Sequence, residues 1–308
     1  MIIYKHSDCL LKDNGLNHPE RKERIDSILE SIEQIKDFEI NFKDAPLADI
    51  ETISLVHPKK HVEKIFSNIP KSGLIGVEKE PYADTMLCPN SKKAILRSCG
   101  AGIAAAKDLM KKNERVFCAI RPPGHHAETT KAMGFCFINN IAVTAKYLQN
   151  KYKVNKIAII DFDVHHGNGT QEIFYNDETV LYASSHEFPL FPGTGSEQET
   201  GVGNIFNAPL KTGMKGNEFL KIFDQKILRP IDKFKPEIIL ISAGFDAHAR
   251  DPLANINLES EDFYQITKSI VDLANIHSKG RIISFLEGGY DLLALSESIK
   301  KHLTALKV

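Results

Sequence analysis

From about residue 115 onward the chain alternates short, nearly unbroken apolar runs with stretches in which apolar residues recur every three or four positions. The runs are Arg115–Ile120, Lys156–Ile160, Thr179–Ala183, Glu237–Ser242 and Arg281–Leu286. Continuous apolar character over so few residues predicts strands buried on both faces. Their alternation with helical segments predicts a mostly parallel sheet flanked by helices. Two helices are legible in detail. Over Pro19–Lys36, Ile25, Ile28, Leu29, Ile32 and Ile35 share one face, and Pro19 suits a first turn. Over Glu261–His277, Phe263, Ile266, Ile270 and Leu273 do the same, with Ser260 as the cap and Gly280 just past the end. The stretch from Asn68 to Asp84 has no period and predicts a long surface loop. No repeat or low-complexity linker divides the chain, so a single α/β domain over residues 1–308 is expected.

Composition narrows the function classes. Apolar residues at 42% and charged residues at 26% are ordinary for a soluble globular protein. Lys plus Arg (39) balances Asp plus Glu (40), which leaves no electrostatic footprint for a phosphate backbone and disfavours a nucleic-acid partner. The five cysteines (Cys9, Cys88, Cys99, Cys118, Cys136) are scattered without a C-x-x-C pair and read as reduced thiols. No apolar run approaches membrane length, and the first residues lack a signal-like core. A soluble cytoplasmic protein with no membrane partner is the expectation.

The unusual residues fall just past the apolar runs. Arg115–Ile120 leads into Arg121-Pro-Pro-Gly-His-His126, and Lys156–Ile160 into Asp161-Phe-Asp-Val-His-His-Gly-Asn-Gly169. Glu237–Ser242 leads into Ala243-Gly-Phe-Asp246, and Arg281–Leu286 into Glu287-Gly-Gly-Tyr290. Open parallel sheets bind ligands outside the carboxyl ends of their strands, so four such clusters would meet on one rim. Alternation along an extended segment would put Asp161, Asp163 and His165 on one side. Asp163 and His165, with Asp246 from a neighbouring strand end, would then give zinc three ligands and leave an open position. Taken alone, each element has a plainer explanation: D-x-H as a helix-capping loop, His125-His126 as surface residues, Gly-Gly-Tyr as a turn with a core tyrosine. Their common position argues otherwise. Pro122, Pro123 and Gly124 would deliver two imidazoles on a rigid loop for acid–base work at a metal-bound water. The Tyr290 hydroxyl could meet a developing oxyanion. Gly134-Phe-Cys-Phe137 and Phe188–Gly195 could wall a narrow apolar tube.

These segments resemble the histone deacetylase family, including bacterial deacetylase-like amidohydrolases and acetylpolyamine amidohydrolases. The resemblance rests on RPPGHHAE (121–128), GFCFINNIAV (134–143), DFDVHHGNGTQ (161–171), FPGTG (191–195), SAGFDAHARDPL (242–253) and LEGGYDL (286–292), with NHPERKERI (17–25) like the family's opening helix. It covers nearly the whole chain in the family's order. It implies an arginase-like fold with an eight-stranded sheet and zinc on Asp163, His165 and Asp246. His126 would be general base and acid, His125 would sit beside it paired with Asp161, and Tyr290 would stabilise the oxyanion. Asn168 would partner His126, as in the class II branch, and leave it less basic than a carboxylate would. Gly134, Phe135, Phe191 and Leu253 would line the acyl-lysine channel. A structural potassium ion is expected on Asp161, Ser184 and main-chain carbonyls of Asp163, His165 and Ser185. Leu253 stands where polyamine-selective relatives carry a glutamate, which favours an acetylated lysine peptide over an acylated polyamine or other small acylated amine.

A non-catalytic acyl-amine binding protein would have little use for His126 and Tyr290. A metallophosphoesterase would need G-D-x-x-D and G-N-H-[DE] segments, which the chain lacks, and a dimetal arginase needs more carboxylates around Asp161–Gly169. The sequence does not fix the oligomeric state; a homo-oligomer is among the expectations.

Overall fold

A computed structural model describes residues 1–77 and 84–308. Among these residues the strands are β1 (Ile2–Lys5), β2 (Asn41–Asp44), β3 (Ile75–Gly76), β4 (Met86–Leu87), β5 (Val116–Cys118), β6 (Ile157–Asp161), β7 (Val180–Glu187), β8 (Ile205–Leu210), β9 (Ile238–Ala243) and β10 (Ile282–Leu286). Eight of them form one sheet in the order β2-β1-β5-β10-β9-β6-β7-β8. Every neighbouring pair in it is parallel, so the sheet is wholly rather than mostly parallel. β3 lies inside the stretch read as a plain loop and pairs antiparallel with β4 just past its end; residues 78–83 of that stretch lie outside the described part.

The side-chain period of a strand divides the core in two. Ala158 and Ile160 of β6 point into one cluster with Ile25, Ile28 and Ile32, Phe263 and Ile270, and Leu295 and Ile299. These belong to the helices Glu23–Glu33, Ser260–His277 and Leu292–Lys307. Ile157 and Ile159 point into the other cluster with Ala101, Ala105 and Leu109 of the helix Ser91–Lys112 and with Ile141, Ala145 and Leu148 of the helix Asn140–Tyr152. Both faces of the sheet are therefore covered, which is why its central strands read as unbroken apolar runs.

The five anticipated strands become β5, β6, β7, β9 and β10, with β7 running four residues further to Glu187. Two helix boundaries differ from expectation. The first helix begins at Glu23 rather than Pro19, because Glu20 is committed elsewhere: its main-chain oxygen accepts from Asn14 and Arg121. The late helix is capped by Glu259, not Ser260; Glu259 and Asp262 exchange side-chain-to-backbone hydrogen bonds as a capping box. All five cysteines are buried and unpaired. No helix among the described residues is long and apolar enough to cross a membrane.

In this strand order β5, β10, β9 and β6 are consecutive neighbours at the centre of the sheet. The four polar clusters follow these four strands.

Candidate active site

β6 ends at Asp161, and the extended alternation expected through His165 stops there. The carboxylates turn the chain themselves: Asp161 Oδ1 accepts from the Asp163 N–H at 3.2 Å, and Asp163 Oδ1 from the His165 N–H at 2.9 Å. Past β9, Asp246 Oδ1 accepts from the Val164 N–H at 2.9 Å and ties the two loops together. The turns bring Asp163, His165 and Asp246 into a buried group whose donor atoms lie within 4.8 Å of one another. His165 Nδ1 is 3.2 Å from Asp163 Oδ1 and 3.1 Å from Asp246 Oδ2. Two glycines make the room. A Cβ on Gly244 would sit 2.1 Å from Asp163 Oδ2, and one on Gly288 would sit 2.1 Å from Asp246 Oδ2. The Gly288 N–H donates to Asp163 Oδ2 at 2.7 Å.

The histidine loop after β5 lies against this group. His125 Nδ1 is 3.0 Å from Asp161 Oδ2, which also accepts from the Tyr182 hydroxyl at 3.0 Å. His126 Nδ1 is 2.9 Å from Asn168 Oδ1. Glu287, a residue whose part was not evident from the sequence, fixes the loop's backbone. Its Oε2 accepts from the N–H groups of Gly124 (2.7 Å) and His125 (3.2 Å), and its Oε1 from Ser242 Oγ at 3.1 Å. The signal was its position directly past a buried strand, beside glycines that drew attention first.

Arg121 and Arg24 were also missed. Arg121 is fully buried, bonding Glu20 through Nε (2.5 Å) and Nη2 (3.0 Å) and the main-chain oxygens of Cys9 and Lys12 through Nη1. Arg24 donates to the main-chain oxygens of Gly289 (2.7 Å) and Glu287 (2.5 Å), and its guanidinium lies 4.9 Å from the Tyr290 ring centre.

The electrostatics follow from burial and crowding. Burial opposes charge on His125, but Asp161 and Asp163 outweigh it and push the imidazole up to about 10. His165 behaves alike: burial is offset by Asp163 and Asp246, again to about 10. His126 goes the other way, well below its ordinary value, through burial and the positive charges of His125 and His165. Asn168 acts in the opposite sense, its hydrogen bond raising His126, so the low basicity comes from burial and the neighbouring histidines rather than from the amide. Burial, then Asp163, raises Asp246; burial lifts Glu287 to about 7.

Above the group opens a cavity of about 410 Å³, into which His126, His165, Tyr290, Gly134, Phe135, Phe191 and Leu253 project or border. Phe191 sits edge-on to His126 (5.1 Å between ring centres), and Phe135 edge-on to Tyr290 (6.1 Å). Tyr290 is positioned by its N–H, which donates to Asp251 Oδ2 at 2.7 Å. Leu253, 36% exposed, stands at the rim. Below, Ser184 pairs in register with Asp161 across β6 and β7, with its Oγ 2.8 Å from His186 Nδ1. The buried Ser185 Oγ has no hydrogen-bond partner.

This fold and site have counterparts. Residues 18–306 match the histone deacetylase domain. The chain is 38% identical to histone deacetylase 10, chloroplastic, of Oryza sativa subsp. japonica, over 97% of this chain and 71% of that one. It is 36% identical to a probable deacetylase of Archaeoglobus fulgidus, over 94% and 81%. The crystal structure of the HDA15 HD domain superposes with a TM-score of 0.90 at 30% identity, covering 99% of this chain and 88% of that one. The chain belongs to the histone deacetylase family, and its single α/β domain has the arginase/deacetylase fold.

Proposed function

We propose that the protein is a zinc-dependent deacetylase that hydrolyses the acetyl amide of a lysine-like amine. One observation carries this reading: two buried carboxylates and an imidazole converge beneath an aromatic-walled cavity that His126 and Tyr290 also border. Relatives named as deacetylases support it.

The donor set fits zinc. Two carboxylate oxygens and one imidazole nitrogen are good ligands for it, three protein ligands are what a catalytic zinc takes, and His165 borders the cavity where substrate would enter. Bound there, zinc would polarise the acyl carbonyl and make a water more acidic. The chain's own groups would do the rest. His126, uncharged at neutral pH, takes a proton from the attacking water through Nε2, its Nδ1 being turned to Asn168. His125, held protonated by Asp161, supplies positive charge beside the developing oxyanion. Tyr290, whose hydroxyl burial keeps protonated, donates a hydrogen bond to that oxygen. His126 then returns its proton to the departing nitrogen as the C–N bond breaks, leaving acetate and free amine. Phe135 and Phe191 flank the alkyl stem. Potassium beneath the zinc would use Asp161, Ser184 and the main-chain oxygens of Asp163, His165 and Ser185, and the register that sets Ser184 opposite Asp161 supports this.

The apolar Leu253 at the rim favours an acetylated lysine peptide over a dicationic acetylpolyamine, because it offers no charge to a second ammonium. The test is metal analysis with acetate release from an acetyl-lysine peptide. Wild type should carry one zinc and turn over. Asp246→Ala should lose both, and Tyr290→Phe should keep zinc while kcat falls roughly 100-fold, the effect of one lost oxyanion donor. Normal zinc in Asp246→Ala overturns the ligand set; acetyl-peptide binding without acetate release overturns the reaction.

A further inference from the structure

The Asn168 amide is held at both ends, and the contacts at its nitrogen end lie outside the site as described. Its Oδ1 faces His126 Nδ1 at 2.9 Å, while its Nδ2 donates to Glu128 Oε1 at 2.8 Å, the shortest and only charged of its contacts, the others being the His126 main-chain oxygen at 3.5 Å and Met133 Sδ at 3.4 Å. A primary amide can turn end for end about its last bond, exchanging a donor face for an acceptor face. A carboxylate has no hydrogen to give, so beside Glu128 only the NH2 end is tolerated. The amide oxygen must then point at His126. An amide oxygen accepts only, so Nδ1 must bear the ring hydrogen, and the lone pair of the neutral imidazole is left on Nε2.

We propose that Glu128 is a positioning residue that sets the tautomer of His126 through Asn168. The proposal rests on the reading of His126 as the base. Glu128 is well anchored for the task. Its N–H donates to Lys131 O at 2.9 Å, closing a tight turn. The next residue is bound to the helix Asn168–Phe174 that carries Asn168: the N–H and Oγ1 of Thr129 reach Glu172 Oε2 at 2.9 and 2.7 Å. His125 needs no such relay, since Asp161 faces its Nδ1 directly. The two adjacent imidazoles are thus oriented by a carboxylate each, one in contact and one at a remove.

The experiment measures kcat, KM and zinc content on an acetyl-lysine peptide for Glu128→Ala and Glu128→Gln, each alone and combined with Asn168→Asp. It also records ring ¹⁵N NMR of His126 in the zinc-loaded proteins. Glu128→Ala should lower kcat about tenfold, the usual size for an outer partner of a metal site, with KM and zinc unchanged. Its His126 spectrum should change from the Nδ1–H form to a mixture. Glu128→Gln should recover most of the rate, because its amide oxygen can accept from Asn168 Nδ2. In the Asn168→Asp background there is no amide to turn, so Glu128→Ala should cost nothing further. Unchanged kcat and tautomer in Glu128→Ala overturn the proposal, as does an equal loss in both backgrounds. The ring spectrum needs no turnover. If wild type proves inactive while Glu128→Ala still shifts the tautomer, the positioning stands and the reaction assignment falls.

Discussion

Two buried charge clusters flank the Arg121–His126 loop, and they are balanced in opposite ways. On the N-terminal side, Lys12, Arg24 and Arg121 surround Glu20, all fully or nearly fully buried. Burial would raise Glu20, yet Arg121 and Lys12 hold it far below the usual carboxylate range, and burial lowers Lys12 to about 8. Main-chain oxygens of Cys9, Lys12, Gly289 and Glu287 take further guanidinium hydrogens, so this cluster draws its partners from within the chain. On the other side Asp161, Asp163, Asp246 and Glu287 crowd two imidazoles, and burial raises three of these four carboxyls. Protons are what neutralise that cluster in the chain alone. Where cations outnumber the one carboxylate and main-chain oxygens take their hydrogens, the cluster holds the fold together; where carboxylates outnumber the imidazoles beside a cavity, the excess charge is of the sign that suits the zinc proposed above.

Removing one partner from each side sharpens the contrast most. In chelator-treated protein Glu20→Gln should cost about 3–5 kcal/mol, the usual penalty for breaking a buried ion pair, read as a lower urea midpoint. Asp246→Asn in the same protein should raise the midpoint, because it removes one of four crowded carboxyls whose mutual repulsion the two imidazoles only partly offset. A fall in both would abolish the distinction. Next in size, Gly288→Ala forces a Cβ against Asp246 and should weaken zinc at least roughly tenfold in chelator competition while the far-UV spectrum stays unchanged. Normal affinity would mean the carboxylates have slack that the cradle argument denies.

The acid limb gives a smaller, signed test. Glu20 releases its proton at lower pH in the folded state than its ordinary 4.5, so below that pH the unfolded chain takes up a proton first and stability falls as pH falls. The slope from this one group approaches about 1.4 kcal/mol per pH unit, and Glu20→Gln should lack it in urea titrations between pH 4.5 and 3. Smallest of all, Leu253→Glu should move relative kcat/KM toward an acetylspermidine-like amine by up to about fivefold, since an exposed charge pair is worth at most about 1 kcal/mol.

The sequence already displayed the residues that gather in the site, because each stands directly past an apolar run and such runs end on one edge of a parallel sheet. Five central strands were readable for the same reason. β1, β2 and β8 were not: β2 is an exposed edge with no buried face, β1 has only four residues, and β8 contains Pro209. The long helix Ser91–Lys112 shows no clear stripe because its glycines and alanines are buried on nearly every side. Glu287, Arg24, Arg121 and Glu128 escaped notice because their meaning lies in partners distant in the chain; Arg24 and Glu287 meet across 263 residues. The low basicity of His126 had a similar origin, set by the imidazoles around it more than by the amide that faces it.

The strand order also fixes when the site can exist during synthesis. β10 is made after every other strand of the sheet, yet it lies between β5 and β9 at the centre. Until it inserts, those two strands have an open gap between them, and Glu287, Gly288 and Tyr290 are not yet beside the histidine loop. A ribosome-bound chain that has already exposed Asp163, His165 and Asp246 therefore holds three donors without the wall that confines them. If the chain takes the zinc proposed above, its capture and the closure of the sheet would be one late event.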